Sequence, residues 1–185
     1  MFAVTIRSPF LHILFVCTGN ICRSPIGERL AAAYAAENGI HDLKVSSAGT
    51  RAVIGRPIHR EAAAVLHNLG GDTSGFAARQ LTSKIASAAD LIIAMTRTHR
   101  DVVLEAAPRQ LQRTFTLTEA SHLAAMGYAD RLADLAGLRP WIGLNDKSDI
   151  PDPIGQSREV FATVGAQIAE LLPPILELYR RSVTA

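Results

Sequence analysis

Cysteine is scarce in this sequence: Cys17 and Cys22 are the only two among 185 residues. Two thiols so close together cannot staple a disulfide-built mini-domain, and no second pair stands by to complete a four-thiolate zinc site. A cytoplasmic address is the resulting expectation. Aromatic residues are also few, with one Trp, three Tyr and six Phe, and 19 Lys and Arg nearly balance 17 Asp and Glu. A net charge of +2 without a basic, stacking-rich surface argues against nucleic acid as a partner. Long apolar runs are missing. The opening MFAVTIRSPFLHILFVC is broken by His12 and is followed by no small-residue cleavage site, so it reads as a buried strand, not a signal peptide. No run reaches the roughly 18 apolar residues of a membrane span, so no membrane role is expected. The histidines His12, His41, His59, His67, His99 and His122 show no ligand spacing with carboxylates or thiols, and neither a metal nor a cofactor is expected.

What is present is ordinary globular composition, 48% hydrophobic and 19% charged, with no linker, repeat or low-complexity tract. One domain spanning 1–185 is the default at this length. Short apolar runs alternate with longer helical periods, the rhythm of an α/β fold. Ile13 to Val16 reads as a fully buried strand, followed by a Gly-containing turn, Thr18 to Ser24, and a helix through Ile26, Leu30, Ala33 and Tyr34 that Asn38-Gly39 stops. Leu43 to Ser47, Ala89 to Met95 and Thr114 to Leu117 supply three more strands, giving four parallel strands in all. Helices are expected over Pro57 to Leu69, over Arg97 to Ala106 and along an apolar stripe from Val160 to Tyr179, with a kink or restart at Pro173-Pro174. Residues 121–148, carrying Trp141, read as an insertion made of a surface helix and a loop.

The chemistry concentrates in Cys17-Thr18-Gly19-Asn20-Ile21-Cys22-Arg23-Ser24-Pro25, at the first strand-to-helix turn. If this loop curls, the backbone N–H groups of Thr18, Gly19, Asn20, Ile21, Cys22 and Arg23 can surround one anion, and the helix opening behind them adds a positive dipole end. Arg23 offers a planar fork for two oxygens of a tetrahedral oxyanion. Cys17, below the cradle, would have its thiolate stabilised by the same N–H groups, by Arg23 and by the Ser24 hydroxyl. Taken singly, each residue has a plainer role: a small buried Cys, a solvated Arg, and Ser24 as an N-cap with Pro25 in the first helical position. Taken together, a cysteine at a strand end, an arginine six residues on and a hydroxyl beside it form what thiolate attack on a bound phosphate requires.

This segment resembles the signature of the low-molecular-weight protein tyrosine phosphatases. The likeness extends to Ser46-Ser47-Ala48-Gly49-Thr50, Ala78-Arg79-Gln80-Leu81, Ala94-Met95-Thr96 with His99, and Asp149-Ile150-Pro151-Asp152-Pro153, in family order. It implies a flavodoxin-like three-layer sandwich, a parallel sheet of order 2-1-3-4 with helices on both faces, and a site where that order reverses. Departure of an alkoxide or phenoxide from phosphorus needs a proton donor. In the family that donor is the Asp of an Asp-Pro pair, which here is Asp152, with Asp149 a rival and Asp146 a weaker one. The implied reaction is phosphomonoester hydrolysis: Cys17 attacks phosphorus while Asp152 protonates the leaving oxygen, then Asp152 activates water against the thiophosphate. The implied substrate is a phosphotyrosine protein or a small aryl phosphate; the sequence leaves the oligomeric state open. The resemblance also makes Asn20, Ser24 and Ser47 a supporting hydrogen-bond network, and allows a reversible Cys17-Cys22 disulfide that shields the nucleophile.

The chain departs from the family pattern in three places. Ile154-Gly155 replaces the usual aromatic after Asp-Pro, Arg51-Ala52-Val53-Ile54 carries no aromatic wall, and Phe76 stands where some relatives place a network histidine. Two other functions fit the same cradle: arsenate reduction resolved by an external small thiol, since no cysteine exists beyond Cys22 to relay a disulfide, and a non-catalytic phosphate-binding regulatory module.

Overall fold

The computed structural model describes residues 10–143 and 149–184; the start of the expected first strand and Asp146 lie outside the described residues. Strand β1 (Leu11–Cys17) is hidden on both faces because its side chains are apolar at every position from Ile13 to Cys17. Alternation sends Ile13, Phe15 and Cys17 into one core with Ile26, Phe161 and Ile168, and Leu14 and Val16 into another with Leu81, Ala86 and Val103. β1 pairs in parallel with β2 (Leu43–Gly49) on one side and with β3 (Leu91–Ala94) on the other. β4 (Thr114–Thr116) extends the sheet beyond β3, so the order is β2-β1-β3-β4. Helices α1 (Arg23–Glu37), α2 (Arg60–Asn68), α5 (Leu117–Ala125) and α7 (Arg158–Thr184) cover one face; α3 (Ser83–Ser87) and α4 (Arg97–Ala106) cover the other. The chain leaves β1 to one side for β2, then returns past β1 to reach β3. The carboxyl ends of β1 and β3 therefore frame a crevice, as expected for this order.

Several boundaries differ from the sequence expectations, each for a local reason. The fourth strand stops at Thr116 because its hydroxyl accepts from Glu119 N–H while the Glu119 carboxylate accepts from Thr116 N–H, a capping box that opens α5 at Leu117. α2 starts at Arg60, since His59 is extended and its ring accepts from Glu61 N–H. Residues 121–125 form the second half of α5, which is buried against α7, and Leu132 and Leu135 also join the core. The expectation of a surface helix there fails because apolar side chains anchor the segment. It continues through short 3-10 turns and α6 (Leu135–Leu138), and Trp141 ends exposed beside Tyr128. α7 carries Pro173 and Pro174 inside it without restarting, its buried residues Leu172, Ile175 and Leu176 holding the turn to the core. α7 also has the length and apolar composition to cross a membrane, but its stripe from Phe161 to Tyr179 packs into the core.

Candidate active site

The loop between β1 and α1 curls because its carbonyls are drawn outward. The carbonyl oxygens of Cys17, Thr18 and Gly19 accept from Thr50, Arg51 and Val53 N–H groups, and Ile21 C=O accepts from His59 N–H. With these carbonyls committed outside, Thr18, Gly19, Ile21, Cys22 and Arg23 line the bowl. Asn20 supplies the bend at φ 55°, a left-handed conformation that Asn tolerates better than most residues. Its Oδ1 accepts from Arg79 N–H at 2.9 Å, which fixes the amide's orientation. Gly49 lets the β2 end approach this closely, since a Cβ there would sit 2.5 Å from Thr18 O.

A polarised hydrogen-bond chain ends at the sulfur. Asn20 Nδ2 donates to Ser24 Oγ at 3.0 Å and to Ser47 Oγ at 2.8 Å. Each hydroxyl thus accepts from Asn20 and has its own hydrogen to give. Ser24 Oγ lies 2.9 Å from Cys17 Sγ, placed to give its hydrogen to the sulfur, and Ser47 donates to Glu28 Oε2 at 2.5 Å. Cys22 serves as N-cap of α1 without a side-chain bond and Arg23 is the first helical residue, so the plain reading of Ser24 as N-cap does not hold. Its side chain turns inward because two polar partners wait there.

Arg23 is 4% exposed and projects into the crevice. Its Nη1 donates to Ile150 O at 2.9 Å and its Nη2 to Asp152 Oδ2 at 2.8 Å. Asp152 itself is half exposed and its Oδ1 accepts from Ile154 N–H. The rival Asp149 is spent elsewhere: its Oδ1 accepts from Arg97 N–H at the start of α4 at 2.8 Å. Cys17, Thr18, Gly19, Ile21, Cys22, Arg23 and Asp152 converge on one cavity of about 410 Å³ whose walls are completed by Arg51, Val53 and Ile154. Burial above all, and then the neighbouring Cys17 and Asp152, pushes the Cys22 thiol up to about 12, so it stays protonated at neutral pH.

Sequence reasoning missed Glu28, the far end of the chain from Cys17, and the contacts of Arg79, whose Nε donates to Ser47 O. A glutamate one helical turn after Ser24 on α1 was the available signal. At the expected network-histidine position, Phe76 lies under the Arg29 guanidinium, 5.6 Å from its centre. The sequence also gave His99 no role; it is buried, and its ring bonds Thr18 and Thr96.

Comparisons with known proteins address the family and the fold. A family model described as low molecular weight phosphotyrosine protein phosphatase matches residues 12–131. The low molecular weight protein-tyrosine-phosphatase Etp of Escherichia coli K12 is 34% identical over 155 residues, spanning 84% of this chain and 85% of that protein. A crystal structure of the low molecular weight protein tyrosine phosphatase from T. tengcongensis superposes with a TM-score of 0.72 at 30% identity, covering 90% of this chain and 98% of that one. The YwlE arginine phosphatase from Geobacillus stearothermophilus gives 0.71 at 28% identity, covering 90% and 91%. Family model, sequence relatives and folded neighbours point the same way, and the chain belongs to the low molecular weight protein tyrosine phosphatases, a class of cysteine-dependent enzymes.

Proposed function

We propose that this enzyme hydrolyses phosphotyrosine through a thiophosphate on Cys17, with Arg23 and the loop amides holding the phosphoryl oxygens and Asp152 moving the proton. The observation that carries this reading is the convergence of Cys17, Arg23 and Asp152 on one cavity. An entering phosphate dianion competes with Asp152 for Arg23 Nη2, because the planar fork binds tetrahedral oxygens in pairs. Asp152, released from Arg23 but still tethered by Ile154 N–H, is free to reach the leaving oxygen at the mouth. Cys17 then attacks in line from the floor, the S–P bond forms as the P–O bond breaks, and Asp152 in its carboxylic acid form gives its proton to the departing phenolate oxygen, leaving a phenol and the Asp152 carboxylate. In the second step Asp152 takes a proton from water, whose oxygen displaces sulfur and yields phosphate. Removing one preorganised oxyanion donor of this kind costs about 3 kcal/mol in the transition state.

The mouth favours a ring ester over a phosphoguanidine. Val53 and Ile154 present exposed aliphatic faces that bury a flat apolar group, while Arg51 beside them repels a second guanidinium. The test is rapid-quench trapping of phosphate from p-nitrophenyl phosphate on Asp152→Ala, in which breakdown of the intermediate is slowed. Labelled Cys17, absent in Cys17→Ser, is expected; turnover surviving in Cys17→Ser refutes the mechanism. Comparison of a phosphotyrosine with a phosphoarginine peptide tests the substrate class, and faster hydrolysis of the latter refutes the preference.

A further inference from the structure

The first turn of α4 touches both halves of the site. His99 is 5% exposed, and each of its ring nitrogens meets a hydroxyl: Nε2 lies 2.8 Å from Thr18 Oγ1, the first residue of the phosphate loop, and Nδ1 lies 2.9 Å from Thr96 Oγ1. Thr96 also caps α4, accepting His99 N–H at 3.2 Å. One residue along, Arg97 N–H holds Asp149 at the head of the segment that carries Asp152. Met95 O accepts from Ile150 N–H, and Ile150 O in turn accepts from Arg23. The turn from Met95 to His99 is therefore bonded to the nucleophile loop on one side and to the acid-bearing segment on the other.

The charge state of the ring sets the direction of this strut. A neutral imidazole has one N–H and one lone pair, so one threonine hydroxyl donates to it while the other accepts, and the row Thr96, His99, Thr18 has a single direction. An imidazolium would donate at both nitrogens, reverse one hydroxyl and set a second cation near Arg23. We propose that His99 is a positioning residue of the phosphatase: its neutral ring fixes the Thr18 hydroxyl and ties the start of the phosphate loop to the helix turn that holds the acid-bearing segment. The proposal rests on the phosphatase reading above, and it assigns His99 no contact with the reacting atoms.

A double-mutant cycle tests it, with p-nitrophenyl phosphate as substrate. Thr18→Val keeps the shape and removes the hydroxyl; His99→Leu removes both ring bonds; His99→Gln keeps an amide able to reach Thr18. Misplacing a loop by a fraction of an ångström to one ångström lowers turnover by about tenfold to a hundredfold, so each of the first two variants is expected to lose that much kcat with KM little changed. The double variant should be no slower than the slower single, because both cut the same row, and His99→Gln should recover part of the loss. Wild-type kcat in Thr18→Val, or losses that multiply in the double variant, overturns the proposal. If His99→Leu does not fold, Thr18→Val and His99→Gln still decide. Absence of Cys17-dependent turnover in the unmodified enzyme sinks the phosphatase reading, and this proposal with it; turnover present but indifferent to these substitutions sinks the proposal alone.

Discussion

Acidification offers a quantitative check on the buried histidine. Burial chiefly, and then the Arg23 guanidinium, pulls the His99 pKa down to about 4 from 6.5, with Asp152 and Asp149 opposing weakly. In the unfolded chain the ring titrates near 6.5, so below that pH the unfolded state takes up a proton that the folded state refuses. The folded-state value is depressed; the contribution of His99 is therefore whole above pH 6.5, declines as the pH falls and levels off below 4. Linkage puts the loss at about 2 kcal/mol between pH 7 and pH 5, and about 3 kcal/mol by pH 4. For a domain of this size 2 kcal/mol corresponds to roughly 4–8 °C in melting temperature. The assay is a set of thermal or urea melts across this range for the native chain and for His99→Gln. Subtracting the two curves removes every other titrating group, and the difference should grow by about 2 kcal/mol from pH 5 to pH 7. A flat difference curve, or a His99 ring that titrates near 6.5 by NMR, refutes the reasoning that burial and Arg23 keep it neutral.

Other consequences can be measured independently. Gly49→Ala places a methyl carbon 2.5 Å from a backbone oxygen of the phosphate loop, and overpacking of that sort costs about 1–3 kcal/mol; lower kcat/KM and a lower melting temperature are expected, and an unchanged enzyme would contradict the close approach. Ile154→Phe adds the ring wall that the sequence lacks, and at ~0.5–1.5 kcal/mol of aromatic pairing it should lower KM for an aryl phosphate about two- to tenfold while leaving an alkyl phosphate unaffected. Because the Cys22 thiol is pushed up to about 12, iodoacetamide at pH 7.5 should label Cys17 and spare Cys22; mass spectrometry showing Cys22 modified first would count against that ordering.

Much of the scaffold could be read from local pattern. Strand β1 stood out because an unbroken apolar run needs cover on both faces, and the loop after it because Gly, Asn and an Arg beside a Cys have few joint uses. The end of the fourth strand was misplaced because Thr116 fits a strand and a helix cap equally well, and only the reciprocal bond with Glu119 decides between them. The segment after Ser121 was taken for surface because its apolar residues have no clear period; Leu132 and Leu135 find their partners only across the chain.

Within the site the division follows distance along the chain. The sequence alone pointed to Cys17, Arg23 and the loop between them as the candidate site, because these residues lie in one short segment directly after an unbroken apolar strand. The tertiary structure decided the rest. It put Asp152 on Arg23 and left Asp149 at the start of α4, carried the hydrogen-bond chain from Cys17 out to Glu28, and set His99 against Thr18. The bonded partners are separated by 19 to 129 residues, and each is indistinguishable from a solvated loop or helix residue until packing removes the water that would otherwise satisfy it.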